Sequence, residues 1–259
     1  MSKPPSYGRL LLVPTPIDFG VRSENLPVDL QDSLPLGVIR QAAALSYWVA
    51  ENAKTARAFL KRVDAVTPLA QPLQAISIIE LPRRPKSTMV PSPINPSHLL
   101  TPALQGHDVG LVSEAGMPAV ADPGATLVQA AHQLGVTVRP LPGVSALLLA
   151  LAASGLNGQN FAFVGYLPVD AAEKIASIRE VETVSRRLGQ TQLIIETPYR
   201  NATLLAALLA HLRPTTRLSV SCGLTLPNGW THSDAVAAWR SRVTALPTDT
   251  PAVFALLAA

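Results

Sequence analysis

Length, composition and charge exclude several classes of protein at the start. The chain has 259 residues, of which 48% are hydrophobic and 15% charged, with 24 prolines and a formal net charge of +4 at pH 7. A chain of this length forms one large or two modest domains with a real core. The weak positive charge permits an acidic partner such as RNA but does not require one. The single cysteine, Cys222, excludes a disulfide framework and a cysteine-rich metal site.

Hydrophobic segments are too short to predict a membrane protein. Ala146 to Ala153 is an unbroken apolar run of eight residues, whereas a bilayer-spanning helix needs about 20. The first ten residues lack the apolar stretch of a signal peptide. The five histidines show no spacing typical of metal ligands. We therefore expect a soluble, cytoplasmic protein without a bound metal.

Short strands and helices alternate in the first third of the chain. Arg9–Val13 is an apolar run that ends at Pro14, which predicts a buried strand. Residues 34–47 are helix-like and residues 48–50 strand-like. In residues 51–63, apolar side chains recur at helical spacing, which predicts an amphipathic helix.

A cluster of six prolines from Pro82 to Pro102 interrupts this alternation. So many prolines disfavour a regular helix or a central strand. The cluster includes the basic residues Arg83, Arg84 and Lys86. We predict an extended surface loop there, which is either an active-site flap or a disordered connection.

The middle of the chain predicts a βαβ unit. Val109–Ser113 is a strand candidate, and residues 122–123 (Asp-Pro) suit the N-cap and first position of a helix. A helix over residues 125–134 ends at Gly135, and residues 136–140 form the next strand. This order predicts a parallel sheet with a right-handed crossover.

The second half of the chain continues the alternation. Residues 144–154 are apolar on all sides, which predicts a buried helix that ends at Gly155. The later predicted elements are strands and helices in turn: strand 161–168, helix 171–188, strand 191–198, helix 201–211, and strands near 218–222 and 252–258. A polar break near residue 157 predicts two α/β domains, residues 1–157 and 158–259.

The motifs that are missing exclude several kinds of chemistry. No two glycines are separated by a single residue, so the Rossmann G-x-G-x-x-G turn and the similar turn of the commonest methyltransferases are absent. G-x-x-x-x-G-K-[ST], H-E-x-x-H and G-x-S-x-G are also absent. The sequence therefore gives no support to P-loop nucleotide hydrolysis, zinc proteolysis or α/β-hydrolase chemistry.

Two loops rich in small residues follow predicted parallel strands. They are residues 113–124 (SEAGMPAVADPG) and residues 140–146 (PLPGVSA). We expect both at the carboxyl ends of adjacent strands, where open α/β sheets bind ligands. Small side chains expose backbone amides and carbonyls, which suits a polar cofactor better than a triphosphate. Two ordinary tight turns are the alternative interpretation.

The order of four segments resembles a known superfamily. The segments are SEAGMPAVADPG (113–124), PLPGVSALLLALAASG (140–155), FAFVGYLP (161–168) and IIETPYRN (194–201). Together they resemble the tetrapyrrole methylase superfamily, and most closely its ribosomal RNA small subunit methyltransferase I branch. The match is strong from Asp108 to Asn201 and weak elsewhere.

The resemblance implies a fold and a cofactor. It implies two α/β domains that bind S-adenosyl-L-methionine in the cleft between them, in a protein that is a homodimer. The family's cofactor contacts carry over to these positions: Pro16, Ala115, Gly116, Met117, Val120, Ser145, Ala146, Thr197, Pro251 and Ala252. Many of these contacts involve the backbone, so a change of side chain at Met117 is compatible with the role.

The substrate side departs from the family pattern. The branch has an EDTR motif where this chain has Glu51-Asn52-Ala53-Lys54, which indicates a short, divergent subgroup. The carboxylates beside matched motifs are candidate bases: Glu114, Glu51 and Glu196. The candidate contacts to an RNA substrate are Lys54, Arg57 and Arg200 for phosphates and Tyr166 and Tyr199 for bases. Helix capping, ion pairing and core packing are the alternative roles for these side chains.

Three functions follow from these patterns. The first is an S-adenosylmethionine-dependent methyltransferase acting on RNA, at a ribose 2′-hydroxyl of the small ribosomal subunit as the resemblance implies. The second is a methyltransferase of a tetrapyrrole or another small molecule. The third is a non-catalytic protein that binds S-adenosylmethionine. Methyl transfer is an in-line displacement, so holding both reactants close together is the main requirement.

Overall fold

The computed structural model describes residues 7–17, 29–82, 96–242 and 244–259. The chain divides into two compact units, Met1–Val144 and Ser145–Ala259. The division lies 13 residues before the predicted boundary at 157/158. The helix Ala146–Ser154 causes this difference, because it packs on strands of the second unit.

A parallel sheet of five strands forms the centre of the described part of the first unit. The strands are β1 (Arg9–Leu12), β2 (Tyr47–Ala50), β3 (Ser77–Glu80), β4 (Val109–Val112) and β5 (Thr137–Pro140). Their spatial order is β3-β2-β4-β1-β5. Because β2, β4 and β1 are flanked by neighbours on both sides, their sequences are short apolar runs.

Helices cover both faces of this sheet. They are α1 (Leu36–Ala43), α2 (Ala53–Val66), α3 (Thr101–Leu104) and α4 (Ala125–Gln133). Trp48 and Leu11 point to the face covered by α1 and α2, whereas Val49 and Leu10 point to the face that packs against α3 and α4. Asn52 caps α2, since its side-chain oxygen accepts hydrogen bonds from the backbone amides of the first turn.

Two predictions about this unit are wrong. Strands β4 and β5 are not adjacent, because β1 lies between them and pairs with both, through Leu11↔Gly110 and Leu11↔Arg139. Asp122 does not cap α4: the helix begins at Ala125, and Gly124, with φ +133°, occupies the N-cap position. Glycine suits this position because L side chains rarely adopt a φ of +133°, and a Cβ would also lie 2.9 Å from the Leu111 side chain.

The second unit contains a mixed sheet. Its described strands are β6 (Phe161–Gly165), β7 (Thr191–Glu196), β8 (Arg217–Cys222), β9 (Trp230–Ala235) and β10 (Ala252–Leu257). They lie in the order β6-β7-β10-β8-β9. Only the β6–β7 pair is parallel within this described sheet; the other pairs are antiparallel.

Four helices of the described chain pack on this sheet. They are α5 (Ala146–Ser154), α6 (Ala171–Leu188), α7 (Asn201–His211) and α8 (Val236–Arg240). The main core lies between α6, α7 and α8 and one face of the sheet. Helix α5 contacts β10, β8 and β9, and Leu151 packs on Leu193 and Ala255 of the opposite face. The prediction of a buried α5 is wrong, since Leu148 and Leu149 are exposed.

Part of the proline cluster lies outside the described residues. This holds for residues 83–95, which include Arg83, Arg84 and Lys86. The end of the cluster is helical, because Pro96–Leu100 forms a 3-10 helix and Pro102 lies in the first turn of α3, where a missing amide hydrogen costs nothing. None of the helices in the described ranges is long and apolar enough to cross a membrane.

Candidate functional site

The loops after β1 and β4 are joined at the carboxyl edge of the first sheet. The Thr15 amide donates to the Gly116 carbonyl (2.9 Å), and the Gly116 amide donates to the Thr15 carbonyl (3.1 Å). Pro16, the next residue, is buried. This bridge holds Pro16 and the segment around Gly116, two predicted cofactor positions, side by side.

A third loop, the one after β5, contacts the first. A Cβ at Gly143 would lie 2.3 Å from Cγ of Pro14, so only glycine fits at this approach. The Leu141 amide donates to the Leu12 carbonyl, which extends the pairing of β5 with β1. The loops that follow β1, β4 and β5 therefore converge at one edge, where open α/β sheets bind ligands.

The loop after β4 has an unusual backbone. Gly116, Ala119, Ala121 and Gly124 all have positive φ, at +73°, +65°, +63° and +133°. The left-handed conformation costs an alanine about 1 to 2 kcal/mol, because its Cβ approaches the following carbonyl. Strained residues of this kind concentrate at ligand-binding and catalytic sites, where the surrounding structure holds them.

The backbone of this loop presents groups that a ligand can use. Within the described residues, the amides of Ala115 and Met117 donate no hydrogen bond. A Cβ built on Gly116 meets only the Val144 carbonyl oxygen, at 3.9 Å, so the space in front of Gly116 is open. Val120, in the same loop, is exposed.

Three carboxylates lie close together around this loop. The Oε2 atom of Glu51, which follows β2, accepts a hydrogen bond from the backbone amide of Glu114 at 3.2 Å. Burial, together with the negative charges of Glu51 and Glu114, raises the pKa of Asp122 to about 6. The Ser113 hydroxyl opposes this shift in the pKa, although it forms no hydrogen bond of good geometry with a described residue.

The raised pKa of Asp122 predicts a pH-dependent stability. The folded state holds this proton more tightly than the unfolded state, so the carboxyl destabilises the fold progressively as pH rises from about 4 to about 6. After allowance for solvent screening, Asp122→Asn should raise the free energy of unfolding by about 1 to 2 kcal/mol above pH 6 and by almost nothing below pH 4. Urea titrations at both pH values measure this. A gain that does not vary with pH would contradict the prediction.

The basic residues of this unit that were predicted to contact RNA phosphates lie on α2. Lys54 and Arg57 are exposed in the first turns of α2, directly after Glu51. A guanidinium nitrogen of Arg57 donates to the Ala53 carbonyl at 3.4 Å. No cluster of three or more His, Cys, Asp or Glu side chains able to hold a metal occurs among the residues that the structure describes.

In the second unit, Glu196 and Arg200 form an ion pair. Glu196 is 6% exposed, and its Oε1 atom accepts hydrogen bonds from the Thr197 amide (2.8 Å) and from Nε of Arg200 (3.1 Å). Nη2 of Arg200 lies 2.8 Å from the same oxygen, and the guanidinium lies over the Tyr199 ring. Glu196 therefore orders the turn Pro198–Arg200, and this geometry favours a structural role over that of a base.

The residues of this unit that were predicted to contact the cofactor fall into two groups. Ala252 pairs with Glu196, which places Pro251 and Thr197 at the same end of β10 and β7. Asn201 donates to the Thr250 carbonyl at 3.0 Å and ties these two segments together. The second group, Ser145 and Ala146, begins α5, whose first turn has no side-chain cap. Their cofactor role stays a prediction.

Tyr166 and Tyr199 are at the surface of the second unit. They are 56% and 67% exposed, which excludes the alternative role of core packing. Sequence reasoning did not place Asp122 in the carboxylate group and did not identify Ser113 as a hydroxyl that acts on the Asp122 pKa. The pair Asp122-Pro123 has the pattern of a helix start, and for that reason Asp122 was interpreted as an N-cap and not as a neighbour of Glu51 and Glu114.

Comparisons with known proteins identify the family of the chain. The model of the family described as Tetrapyrrole (Corrin/Porphyrin) Methylases matches residues 52–230. This range includes α2, both glycine-containing loops of the first unit after β4 and β5, and the sheet of the second unit as far as the first residue of β9.

Curated relatives cover part of the same region. The chain is 30% identical to a ribosomal RNA small subunit methyltransferase I from Halalkalibacterium halodurans over 193 residues, which is 74% of this chain and 56% of the relative. It is 44% identical to a protein of the same name from Micromonospora olivasterospora over 108 residues, 42% of this chain and 33% of the relative. The chain thus spans less than two thirds of the length of each.

A solved structure extends the likeness to the whole chain at the level of the fold. The uroporphyrin-III-C-methyltransferase of Thermus thermophilus aligns with a TM-score of 0.51 and 18% identity, covering 96% of this chain and 94% of that chain. At this identity the likeness concerns the arrangement of strands and helices, and both units of the chain take part in it.

Proposed function

Because the chain belongs to the tetrapyrrole (corrin/porphyrin) methylase family, we propose that it is an S-adenosyl-L-methionine-dependent methyltransferase. One observation carries the proposal beyond family membership. The loop after β4, in which the two alanines Ala119 and Ala121 have positive φ, is bonded to the loop after β1 at the carboxyl edge of a parallel sheet. Strain of this kind is maintained where a ligand must be held in one position.

The residues present fit the cofactor. Bound S-adenosylmethionine supplies a methyl group on a positively charged sulfur. The amides of Ala115 and Met117, which donate to no described residue, are suited to hold its polar groups. The open space in front of Gly116 admits a ligand that any side chain would obstruct. The acidic surroundings formed by Glu51, Glu114 and Asp122 favour a cation.

The proposed acceptor is a ribose 2′-hydroxyl of small-subunit ribosomal RNA. The relatives at 30% and 44% identity carry the name ribosomal RNA small subunit methyltransferase I, which supports an RNA substrate. Exposed cations on α2, Lys54 and Arg57, are suited to contact phosphates beside the site. Exposed rings at Tyr166 and Tyr199 are suited to stack on unpaired bases. An acceptor in the ribosome would place the protein in the cytoplasm.

Two measurements test this function. Calorimetry with S-adenosylmethionine measures cofactor binding, and its absence would refute the proposal at the first step. Purified small ribosomal subunits from a strain lacking the gene are then incubated with cofactor labelled in the methyl group, in parallel with uroporphyrinogen III. Label at a single ribose supports the RNA assignment. Label on the tetrapyrrole alone would replace the RNA assignment by a tetrapyrrole acceptor. Cofactor binding without transfer to either acceptor would indicate a non-catalytic protein.

We also propose that the protein is a homodimer. Strand β6 is an edge strand, and the apolar residues Phe161, Phe163 and Tyr166 are exposed along it and directly after it, followed by Val169. An exposed apolar edge is a liability unless another surface covers it, and a second copy of the chain is the simplest cover.

The dimer predicts the effect of a charge on β6. Phe163→Glu should weaken self-association by at least about tenfold, because a carboxylate cannot be buried in an apolar contact without a partner. Ile79→Glu is the matched control: Ile79 is comparably exposed and lies on β3, one of the two edge strands of the other described sheet. Sedimentation equilibrium measures both. A monomeric wild type, or equal effects of the two variants, would refute the proposed interface.

A further inference from the structure

A cavity of about 270 Å³ lies beside β9, an edge strand of the second described sheet. Two of its lining residues belong to β9, and the others belong to α8 or to the chain after it; they are Trp230, His232, Trp239, Arg242, Thr244 and Ala245. The match to the family model ends at residue 230, so most of this lining lies outside the matched range. None of these residues belongs to the loops after β1, β4 and β5, so the cavity is a separate place for a ligand.

Aromatic rings form the walls of the cavity. The rings of His232 and Trp239 lie edge to face, with their centroids 4.8 Å apart and their planes at 71°. Trp239 is buried, and its Nε1 atom donates a hydrogen bond to the Leu218 carbonyl at 2.8 Å, which fixes this wall. Trp230 lies two residues before His232, on the same face of β9, and is partly exposed. Its indole therefore offers a flat surface to a ligand.

A guanidinium and a hydroxyl add polar groups to the same cavity. Arg242 is exposed, and its Nη1 atom donates to Nε2 of His232 at 2.9 Å. No carboxylate of the described residues lies within salt-bridge distance of this guanidinium. The Oγ1 atom of Thr244 is buried without a hydrogen-bond partner in the part of the chain that the structure describes. Because buried hydroxyls are almost always hydrogen-bonded, a ligand or a water molecule is expected to complete this group.

The groups around the cavity match the parts of a nucleotide. The π face of a base stacks on an aromatic side chain such as Trp230, and unpaired bases are recognised in this way. A phosphate accepts paired hydrogen bonds from a guanidinium such as that of Arg242. The volume lies near the lower limit for ligand pockets, about 300 Å³, so the cavity suits one small unit and is too small for a tetrapyrrole macrocycle. Acidic side chains of a peptide would supply negative charge but no ring for the indole.

We propose that this cavity binds one unpaired nucleotide of RNA, with the base stacked on Trp230 and a phosphate paired with Arg242; the choice of RNA as the source of the nucleotide rests on the proposed function. The Thr244 hydroxyl then gains a hydrogen-bond partner on the nucleotide. Stacking and phosphate contacts are available to every nucleotide, so the site selects unpaired RNA and not a particular base.

Tryptophan fluorescence of the full chain, titrated with single-stranded hexauridylate, tests the site. Emission should fall on binding, because a base stacked on Trp230 quenches its indole, whereas Trp48 and Trp239 are 2% and 1% exposed and cannot stack on a base. A duplex RNA should quench far less, because its bases are paired. A hexaglutamate peptide should not quench, because it carries negative charge without a base.

Substitutions assign the binding to this cavity, with the affinity for fluorescein-labelled hexauridylate measured by anisotropy. Trp230→Leu keeps an apolar side chain but removes the stacking ring, so it should weaken binding by at least about fivefold, and Trp230→Phe should restore part of the affinity. Arg242→Ala should weaken binding and reduce the slope of log affinity against log salt concentration by about 0.7. Arg187→Ala is the matched control, since Arg187 is an exposed cation on α6 of the same unit, and it should leave the slope unchanged.

The outcomes separate this site from the proposed function. Wild-type affinity in Arg242→Ala, or an effect no larger than that of Arg187→Ala, would overturn the site; because Arg242 is exposed, this holds even if Trp230→Leu alters the fold. Equal quenching by hexaglutamate would also overturn it and indicate an acidic protein partner. The binding assay contains no S-adenosylmethionine. Methyl transfer to RNA without hexauridylate binding would therefore refute the site alone, and hexauridylate binding without methyl transfer would refute the proposed function alone.

Discussion

Gly116→Asp is expected to weaken S-adenosylmethionine binding by at least about 100-fold, as measured by calorimetry. Gly116 has φ +73°, and a side chain there would project into the open space that the proposed cofactor occupies. The left-handed backbone adds a separate cost in stability of about 1 to 2 kcal/mol for an L residue. Binding and folding therefore have to be measured together, the second by urea titration.

Gly135→Asp separates these two effects. Gly135 has nearly the same φ, +72°, and follows the end of α4, and a Cβ added there would have no neighbouring atom within 4 Å. The substitution should cost the same stability as Gly116→Asp and leave cofactor binding intact. If the two variants bound S-adenosylmethionine with equal affinity, the cofactor would not bind against the loop after β4.

Local patterns predicted much of the fold. Helix α7 occupies Asn201–His211, the range that its apolar spacing predicts, and α6 also has its predicted range. The two α/β units and the membership of the tetrapyrrole methylase family are confirmed as well. Each depends on short-range information: hydrophobic periodicity, turn residues, and ordered motifs with fixed spacing.

The pairing of strands that are distant in the sequence could not be predicted from local patterns. Nothing in the sequence of β1 indicates that Leu11 lies between Gly110 and Arg139, because strand order is set by contacts between segments about 100 residues apart. Strand β9 (Trp230–Ala235) was missed for a related reason. As an edge strand with polar Thr, His, Ser and Asp, it lacks the apolar run that marks the inner strands.

At the candidate site, the backbone conformation differs from the conformational preference of the residues that form it. Alanine has no preference for the left-handed region, so the conformations of Ala119 and Ala121 cannot be inferred from their identity. Asp122 lies outside α4, which begins at Ala125, although its Asp-Pro pattern predicts a helix start. Such departures from local preference concentrate at functional sites, where binding rather than stability determines the backbone.

The ion pair of Glu196 predicts the second large effect, in the unit that carries the mixed sheet. Glu196→Ala should lower the free energy of unfolding by about 2 to 3 kcal/mol, because it removes an acceptor of the Thr197 amide and leaves the partly buried Arg200 charge unpaired. Urea titration followed by circular dichroism measures the loss. If Glu196 were instead a free base, its burial would be unfavourable, and its removal would stabilise the protein.

Glu196→Gln and Glu180→Ala provide the graded controls. Glutamine keeps the oxygen that accepts the Thr197 amide but loses the charge opposite Arg200, so it should cost about half as much as alanine. Glu180 is exposed on α6, and its removal should change the free energy by less than about 0.5 kcal/mol. If glutamine and alanine cost the same, the charge would be the main contribution and the amide contact a minor one. Because Ala252 pairs with Glu196, the two Glu196 variants act beside the start of β10, where Pro251 and Ala252 were predicted to contact the cofactor.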